Sequence, residues 1–274
     1  MKGVTAALLA LATGLQLATA THYPGLGLHN DDQKNLAINN IPAADREYYM
    51  AIANDAVREI NGDACSIAPF GSVVVDHKPD GTDEIVCVAA NQVGVVGDPS
   101  MHGEMTAIRV CTEVLKNRGL SPQEMLLAWR NFTMYTNGEP CPMCASALRW
   151  SGLKEVVWGT SIETIIKHGR SQIYLPSSLI VSASYALGHQ TLWIGSILEH
   201  ETDKNFAYQF NETAPCPRDC HRELLPGKRV SQCVMDKGWR QGWLQRKGQW
   251  EANIEPRGLK HAHTTHNHGA HDEL

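Results

Sequence analysis

The sequence predicts an α/β protein: a three-layer α-β-α sandwich on a mixed five-stranded sheet, followed by a C-terminal extension. Three observations carry that prediction. Two runs with strand character flank a Pro79-Asp80-Gly81 turn, so the sheet opens on a hairpin. Beyond it, helical periods alternate with short β-branched runs, the pattern of a sheet covered by helices on both faces. After Phe210 the composition changes, and residues 211–260 hold three cysteines, three tryptophans and a basic excess.

The elements follow in order. Residues 1–20 read as a signal peptide: Lys2 supplies the positive start, Val4 to Leu17 the apolar stretch and Ala18-Thr19-Ala20 a cleavage site. The apolar run is shorter than the roughly 20 residues of a membrane helix and is broken by Thr5, Thr13, Gly14 and Gln16, so no membrane span is expected. Residues 21–44 are rich in Gly, Asn and Asp and read as an arm. The folded domain spans 45–210. Asp45 caps a helix whose Tyr49, Ile52, Ala53, Ala56 and Ile60 share one face, and Asn61-Gly62 ends it. Strands follow at 70–75 and 84–90. The loop from Gly94 to Ser100 then leads into a helix begun by His102, with Met105, Ile108, Cys111 and Leu115 at helical spacing. That helix ends near Arg118-Gly119.

The strand at 131–136 delivers the chain to Pro140 and a second helix, and another strand covers 154–159. Ser161 caps a short helix reaching His168, 190–194 supplies the fifth strand, and one final helix is expected from Leu198 to Phe210. Residues 171–188 carry no assignable period. The extension, 211–260, is expected to be tied by disulfides and to pack its tryptophans on the domain. A histidine-rich tail, 261–274, ends in His271-Asp272-Glu273-Leu274, an ER-retrieval address. With the signal peptide, this predicts the secretory pathway and the ER lumen, with the retrieval receptor as a partner.

Net charge is −5 at pH 7, and a luminal setting removes most nucleic acids, so the basic, tryptophan-bearing extension is not read as a nucleic-acid surface. In an oxidising lumen Cys216, Cys220 and Cys233 are expected in disulfides, with Cys65 within their reach. Cys87, in a strand pattern, and Cys111, in a helix pattern, are read as buried free thiols. Asn131-Phe132-Thr133 and Asn211-Glu212-Thr213 are glycosylation sequons, the second in the more polar stretch.

The chemistry gathers in two motifs, His102-Gly103-Glu104 and Pro140-Cys141-Pro142-Met143-Cys144. Cys141 and Cys144 are three apart at a helix start, so both sulfurs lie on one face. One imidazole and two thiolates hold Zn²⁺ with a fourth tetrahedral position left for water, the catalytic arrangement. Glu104 stands two residues from the histidine, in reach of that water without being a ligand. H-x-E alone is uninformative, since His221-Arg222-Glu223 and His271-Asp272-Glu273 repeat it, but P-C-x-x-C occurs once. Simpler readings stand beside these: a luminal Cys141–Cys144 disulfide, and a glutamate complementing a helix N-terminus. Cys216, Cys220 and His221 form a rival cluster, for which disulfides are the expected fate.

With hairpin, motifs and order in hand, the chain resembles the cytidine and deoxycytidylate deaminase superfamily over roughly 45–210. Within it, the guanine, cytosine and tRNA adenosine deaminase branch is the most similar. The resemblance rests on the stretches Pro69 to Val75, Asp98 to Arg109 and Glu139 to Cys144. It implies zinc on His102, Cys141 and Cys144, and Glu104 as the proton shuttle. Asn91 is implied as a hydrogen-bonding contact to the base, although a turn asparagine after a strand is equally ordinary. Guanine deaminases place an aspartate near Ile162–Ile165; here Glu163 is its candidate replacement, with a plain helix-start carboxylate as the alternative. Gly103 stands where the family usually has alanine. The extension has no counterpart, and homodimers are common in this branch.

The expected function is hydrolytic deamination of a nucleobase or related amino-heterocycle, guanine first. Zinc would lower the pKa of its water from about 16 toward about 7, and Glu104 would move protons to ring nitrogen and departing ammonia. Cytosine or a nucleoside, tRNA adenosine, and a non-catalytic deaminase-like binding module are the alternatives.

Overall fold

The computed structural model describes residues 37–254. The proposed signal peptide, most of the arm and the retrieval tail lie outside them. In order the elements are β1 (Ala37–Ile38), β2 (Ile41–Pro42), α1 (Ala43–Asn61), β3 (Gly71–Asp76), β4 (Glu84–Ala90), α2 (Val93–Val96), α3 (Gly103–Asn117) and α4 (Pro122–Ala128). Then come β5 (Phe132–Gly138), α5 (Pro142–Ser151), β6 (Glu155–Thr160), α6 (Ile162–Lys167), α7 (Ser177–Ala183) and β7 (Leu192–Ile194). The chain finishes with α8 (Glu199–Thr202), α9 (Lys204–Ala207), β8 (Cys220–Glu223), β9 (Gln232–Met235) and α10 (Trp239–Ile254).

The main sheet has the order β4-β3-β5-β6-β7. Its first three strands are antiparallel, and β5, β6 and β7 run parallel, so the expected mixed five-stranded sheet is present. Alternation builds two cores, because successive residues of a strand face opposite sides. Val74, Met134 and Val156 meet Ala107, Cys111 and Leu115 of α3 and Leu148 of α5 on one face. Val73, Val75, Tyr135 and Val157 meet Tyr49, Met50 and Ala53 of α1 on the other. Helices thus cover both faces, giving three layers.

Close contact between α1 and β3 needs Gly71: a β-carbon there would stand 2.2 Å from the Ala53 carbonyl oxygen. At the far end of the sheet a buried ion pair joins α1 to β6. Arg46 Nη1 lies 3.0 Å from Glu155 Oε2, with both side chains essentially unexposed. Asn39 and the Thr133 hydroxyl (3.3 Å) donate to the same carboxylate. A buried charge is tolerable only when paired and hydrogen-bonded in this way.

Two sequence expectations are corrected. Cys87 and Cys111 are not free thiols but a disulfide, their Cα atoms 5.3 Å apart. The strand and helix periods each bury one cysteine correctly; neither reveals that α3 lies across β4 with the two sulfurs opposed. The single helix from Leu198 to Phe210 is instead two short turns, α8 and α9, separated at Asp203. That segment is held from several sides rather than by one apolar face. Thr202 bonds the buried Thr160 hydroxyl at 2.8 Å, Asn205 donates to Asn54 Oδ1 at 2.7 Å, and Tyr208 donates to the Ser66 carbonyl. The unassigned region around 171–188 contains α7, and α4 was not expected either, although Ser121 and Glu124 form a full capping box before it.

Cys65 pairs with Cys220 and Cys216 with Cys233, so the extension is tied to the domain by a covalent bond. It also caps α1. The Trp243 indole donates to the Glu59 carbonyl at 2.7 Å and Trp239 to the Gly62 carbonyl at 3.3 Å, supplying donors that a helix C-terminus lacks. Arg246 and Arg58 stack over Trp239, so these rings face their own domain. Among the described residues, no helix is long and apolar enough to cross a membrane.

Candidate active site

Because β3 runs antiparallel to both β4 and β5, the C-terminal ends of β4 and β5 lie on the same edge as the start of β3. Asn91 follows β4, Phe70 precedes β3, and Glu139-Pro140-Cys141 follow β5, so strand ends collect the chemistry on one rim. Asn137, fully buried, locks this edge: its Oδ1 accepts from Gly71 N at 3.0 Å and its Nδ2 donates to the Pro69 carbonyl at 2.7 Å. Glu139 fixes the approach to α5 by accepting from Ile162 N (2.9 Å), Ser177 N (2.8 Å) and the Ser177 hydroxyl (2.6 Å).

His102 and Cys141 are the residues immediately before α3 and α5, both in extended conformation. Pro142 starts α5, a position where its missing N–H costs nothing. Gly103 is buried, and a β-carbon on it would lie 3.0 Å from the Phe70 carbonyl oxygen, so the bare glycine lets α3 sit tightly on the strand edge. The two helix starts bring His102 Nδ1 to 3.5 Å from Cys141 Sγ and 3.7 Å from Cys144 Sγ. All three ligand atoms lie within 4.8 Å of one another. Zinc–nitrogen bonds of about 2.0 Å and zinc–sulfur bonds of about 2.3 Å at tetrahedral angles place nitrogen and sulfur about 3.5 Å apart. The three donors therefore fit zinc, with one coordination position left over. Cys141 and Cys144 are both free of disulfides, so their sulfurs are available as ligands.

The electrostatics suit that ligand set. A hydrogen bond from the Cys144 thiol, helped by His102, holds the Cys141 thiol down at about 4, which favours the thiolate. The same donation, with burial, pushes the Cys144 thiol up, and the bond to Cys141 raises His102. Metal binding takes sulfur as thiolate. Glu104, in the first turn of α3, is 3 % exposed and interacts with the Cys144 thiol. Burial first, and the Cys141 charge second, push its carboxyl up to about 7. A neighbouring dication would pull it back toward the charged form.

His102, Cys141 and Asn91 line one cavity of about 610 Å³, shared with Phe70, Arg170 and Gln172. Asn91 Oδ1 accepts from Val93 N at 3.1 Å, so Nδ2 is what this side chain can offer a ligand. Glu163 is not brought there. It is exposed and lines a separate cavity of about 470 Å³ beside Trp158 and Ser177. The ordinary helix-start carboxylate describes its position, because one turn of α6 carries it away from the rim. Arg170 is the cavity residue that sequence reasoning missed; an arginine after a glycine in an unpatterned stretch carries no local signal. The rival cluster is dissolved, since Cys216 and Cys220 are each committed to disulfides.

Fold and site together define a hydrolase of the zinc-assisted deaminase class, and comparison with known proteins gives the family. The zinc-binding region of cytidine and deoxycytidylate deaminases matches residues 43–160. The chain is 30 % identical over 135 residues to a probable cytosine deaminase of Schizosaccharomyces pombe, covering 48 % of this chain and 74 % of that protein. It is 37 % identical over 90 residues to a guanine deaminase of Bacillus subtilis, covering 33 % of this chain and 49 % of that one. A tRNA-specific adenosine deaminase of Rickettsia bellii matches at 29 % over 101 residues, covering 37 % of this chain and 59 % of that one. The chain belongs to the cytidine and deoxycytidylate deaminase family. It is accordingly a hydrolytic deaminase acting on C–N bonds, with zinc as its metal.

Proposed function

We propose that the protein deaminates a small amino-heterocycle, an amino-purine or amino-pyrimidine, by hydrolysis. The observation that carries this reading is the buried Glu104 carboxylate beside a zinc-fitting triad, two of whose members, His102 and Cys141, line a ligand-sized cavity. His102, Cys141 and Cys144 would hold the metal. Bound zinc supplies a water acidified toward neutral pH and a site that polarises oxygen. Glu104 would accept one proton from the attacking water and hand it to a ring nitrogen, then accept the second from the newly added hydroxyl and hand it to the departing amine, which leaves as ammonia. Asn91 Nδ2 orients the base by donating to a ring acceptor.

Guanine is the first base to test, as the substrate named for the Bacillus relative, and cytosine the second, as named for the Schizosaccharomyces relative. The exposed position of Glu163 removes one support for guanine. Ammonia release by zinc-loaded protein is measured on guanine, adenine, cytosine, cytidine, deoxycytidylate and adenosine. Glu104→Gln is expected to keep one zinc and to lose about 10²–10⁴-fold in turnover. Full turnover by zinc-loaded Glu104→Gln would sink the shuttle; silence of the parent on all six with zinc bound favours a binding module.

We also propose the ER lumen as the location. Three disulfides among the described residues support an oxidising compartment. Deleting His271–Leu274 is expected to release the protein into the medium. The sequon at Asn211 is exposed throughout, whereas Thr133 of the first sequon is buried, so glycan is expected at Asn211. Self-association is checked by light scattering.

A further inference from the structure

Arg170 stands on the wall of the catalytic cavity with half of its guanidinium spoken for. Both Nη1 hydrogens are used, one on the Ile67 carbonyl and one on Gln209 Oε1 at 2.8 Å. Its Cζ lies 5.2 Å from the centre of the Phe70 ring, which also lines the cavity. These contacts hold the group in place without neutralising it, since every partner is an uncharged acceptor or a ring face. Burial lowers its pKa, against an opposing influence from the Tyr208 phenol and from no carboxylate. Among the described residues Nε and Nη2 find no hydrogen-bond partner, and neither is fully buried, so this edge of a cavity-lining side chain is accessible to a ligand. No Asp or Glu lines the cavity, and Arg170 is its one permanently charged side chain among the described residues.

The Nε–Nη2 edge of an arginine is the fork that matches a two-oxygen acid. A half-buried cation that meets no protein anion is well placed for a ligand that supplies one. The cavity, about 610 Å³, has room for a ligand with a substituent beyond a base ring.

We infer that Arg170 is a specificity-determining residue that selects amino-heterocycles bearing an acidic group, a carboxylate or a phosphate, over the neutral parent. This rests on the deaminase reading above, with the heterocycle at the zinc triad and the acid at the fork.

The test measures equilibrium binding by calorimetry to zinc-loaded Glu104→Gln protein, so that turnover does not enter. Matched pairs are cytosine with cytosine-5-carboxylate, cytidine with its 5′-monophosphate, and guanosine with its 5′-monophosphate. The acidic member of at least one pair is expected to bind more tightly, and the preferred pair tells carboxylate from phosphate. Adding Arg170→Gln is expected to shrink that preference about 10- to 100-fold, as loss of a charge-assisted pair does. Arg170→Lys, which keeps the charge but not the fork, should fall between. A purely structural arginine would weaken both members alike and leave their ratio intact, which overturns the proposal, as does the absence of any preference in all three pairs. Ammonia release by Glu104-containing protein is scored separately: a preference lost in Arg170→Gln together with no turnover on any pair would sink the deaminase reading and keep the acid site.

Discussion

Replacing Cys87 and Cys111 together by alanine removes the covalent tie between β4 and the helix that carries His102 and Glu104. The cysteines are 24 positions apart, and closing a loop of about 25 residues in the unfolded chain is worth about 3.5 kcal/mol at 25 °C in the chain-entropy account. Both sulfurs are buried, Cys87 at 3 % and Cys111 at 0 % exposure, so truncation adds roughly 1 kcal/mol each in lost burial and packing. The double variant should therefore lose about 4–6 kcal/mol, a large part of a typical domain's stability of about 5–15 kcal/mol. Urea unfolding of oxidised protein measures it, with the midpoint falling and the slope little changed. Cys111 sits eight residues beyond Gly103 in α3, about 12 Å along the helix axis. Zinc content at 25 °C should accordingly be retained while the fold is weakened. A loss below about 1 kcal/mol, with the bond confirmed in the parent by mass spectrometry, would refute the loop-closure reasoning. Two extra reactive thiols in the parent would remove the bond itself.

Other perturbations have equally definite signs. Glu155→Ala strands the Arg46 guanidinium, 2 % exposed, in the core, and breaking one side of a buried pair costs about 3–5 kcal/mol in an unfolding measurement; a cost under about 1 kcal/mol would mean that water reaches Arg46. His77 is lowered, first by burial and against the opposing pull of Asp83, so the unfolded state binds its proton more readily. Its contribution to stability is full above the unfolded value of about 6.5 and is lost as pH falls toward the folded value. Melting curves between pH 5 and 8 for the parent and His77→Gln should converge at the acid end; parallel curves would show that His77 is not the titrating group. Chelation should strip one metal per chain, abolish ammonia release and lower the melting temperature, all restored by added zinc; a second metal per chain would point to ligands outside the described residues.

Much of the site was legible because its chemistry is local. Cys141 and Cys144 share a helix turn, and His102 and Glu104 are two residues apart at another helix start, so short-range geometry sets each half. Pairing the halves needed only the expectation that two helix starts meet at the ends of adjacent strands. The hairpin, the α3 boundaries and the fifth strand were also readable, because period and turn chemistry act within a few residues. The segment after Leu198 misled for the same reason: its helical residues are genuine, but contacts from Thr160, Asn54 and Ser66 decide where the turns stop. Glu163 misled differently, since a position near the expected stretch says nothing of which cavity the turn of α6 presents it to.

The sequence by itself determined the metal-binding chemistry and the layer order, and placed Glu104 two residues from His102. Those depend on residue type and on spacings shorter than a helical turn or on strand alternation. Tertiary structure alone decided that Cys87 meets Cys111, that Trp239 and Trp243 close the end of α1, and that Arg170 lines the same cavity as His102 and Cys141. Each of these joins residues far apart in the chain. Their meeting depends on the register and crossing of packed elements, which no local period encodes.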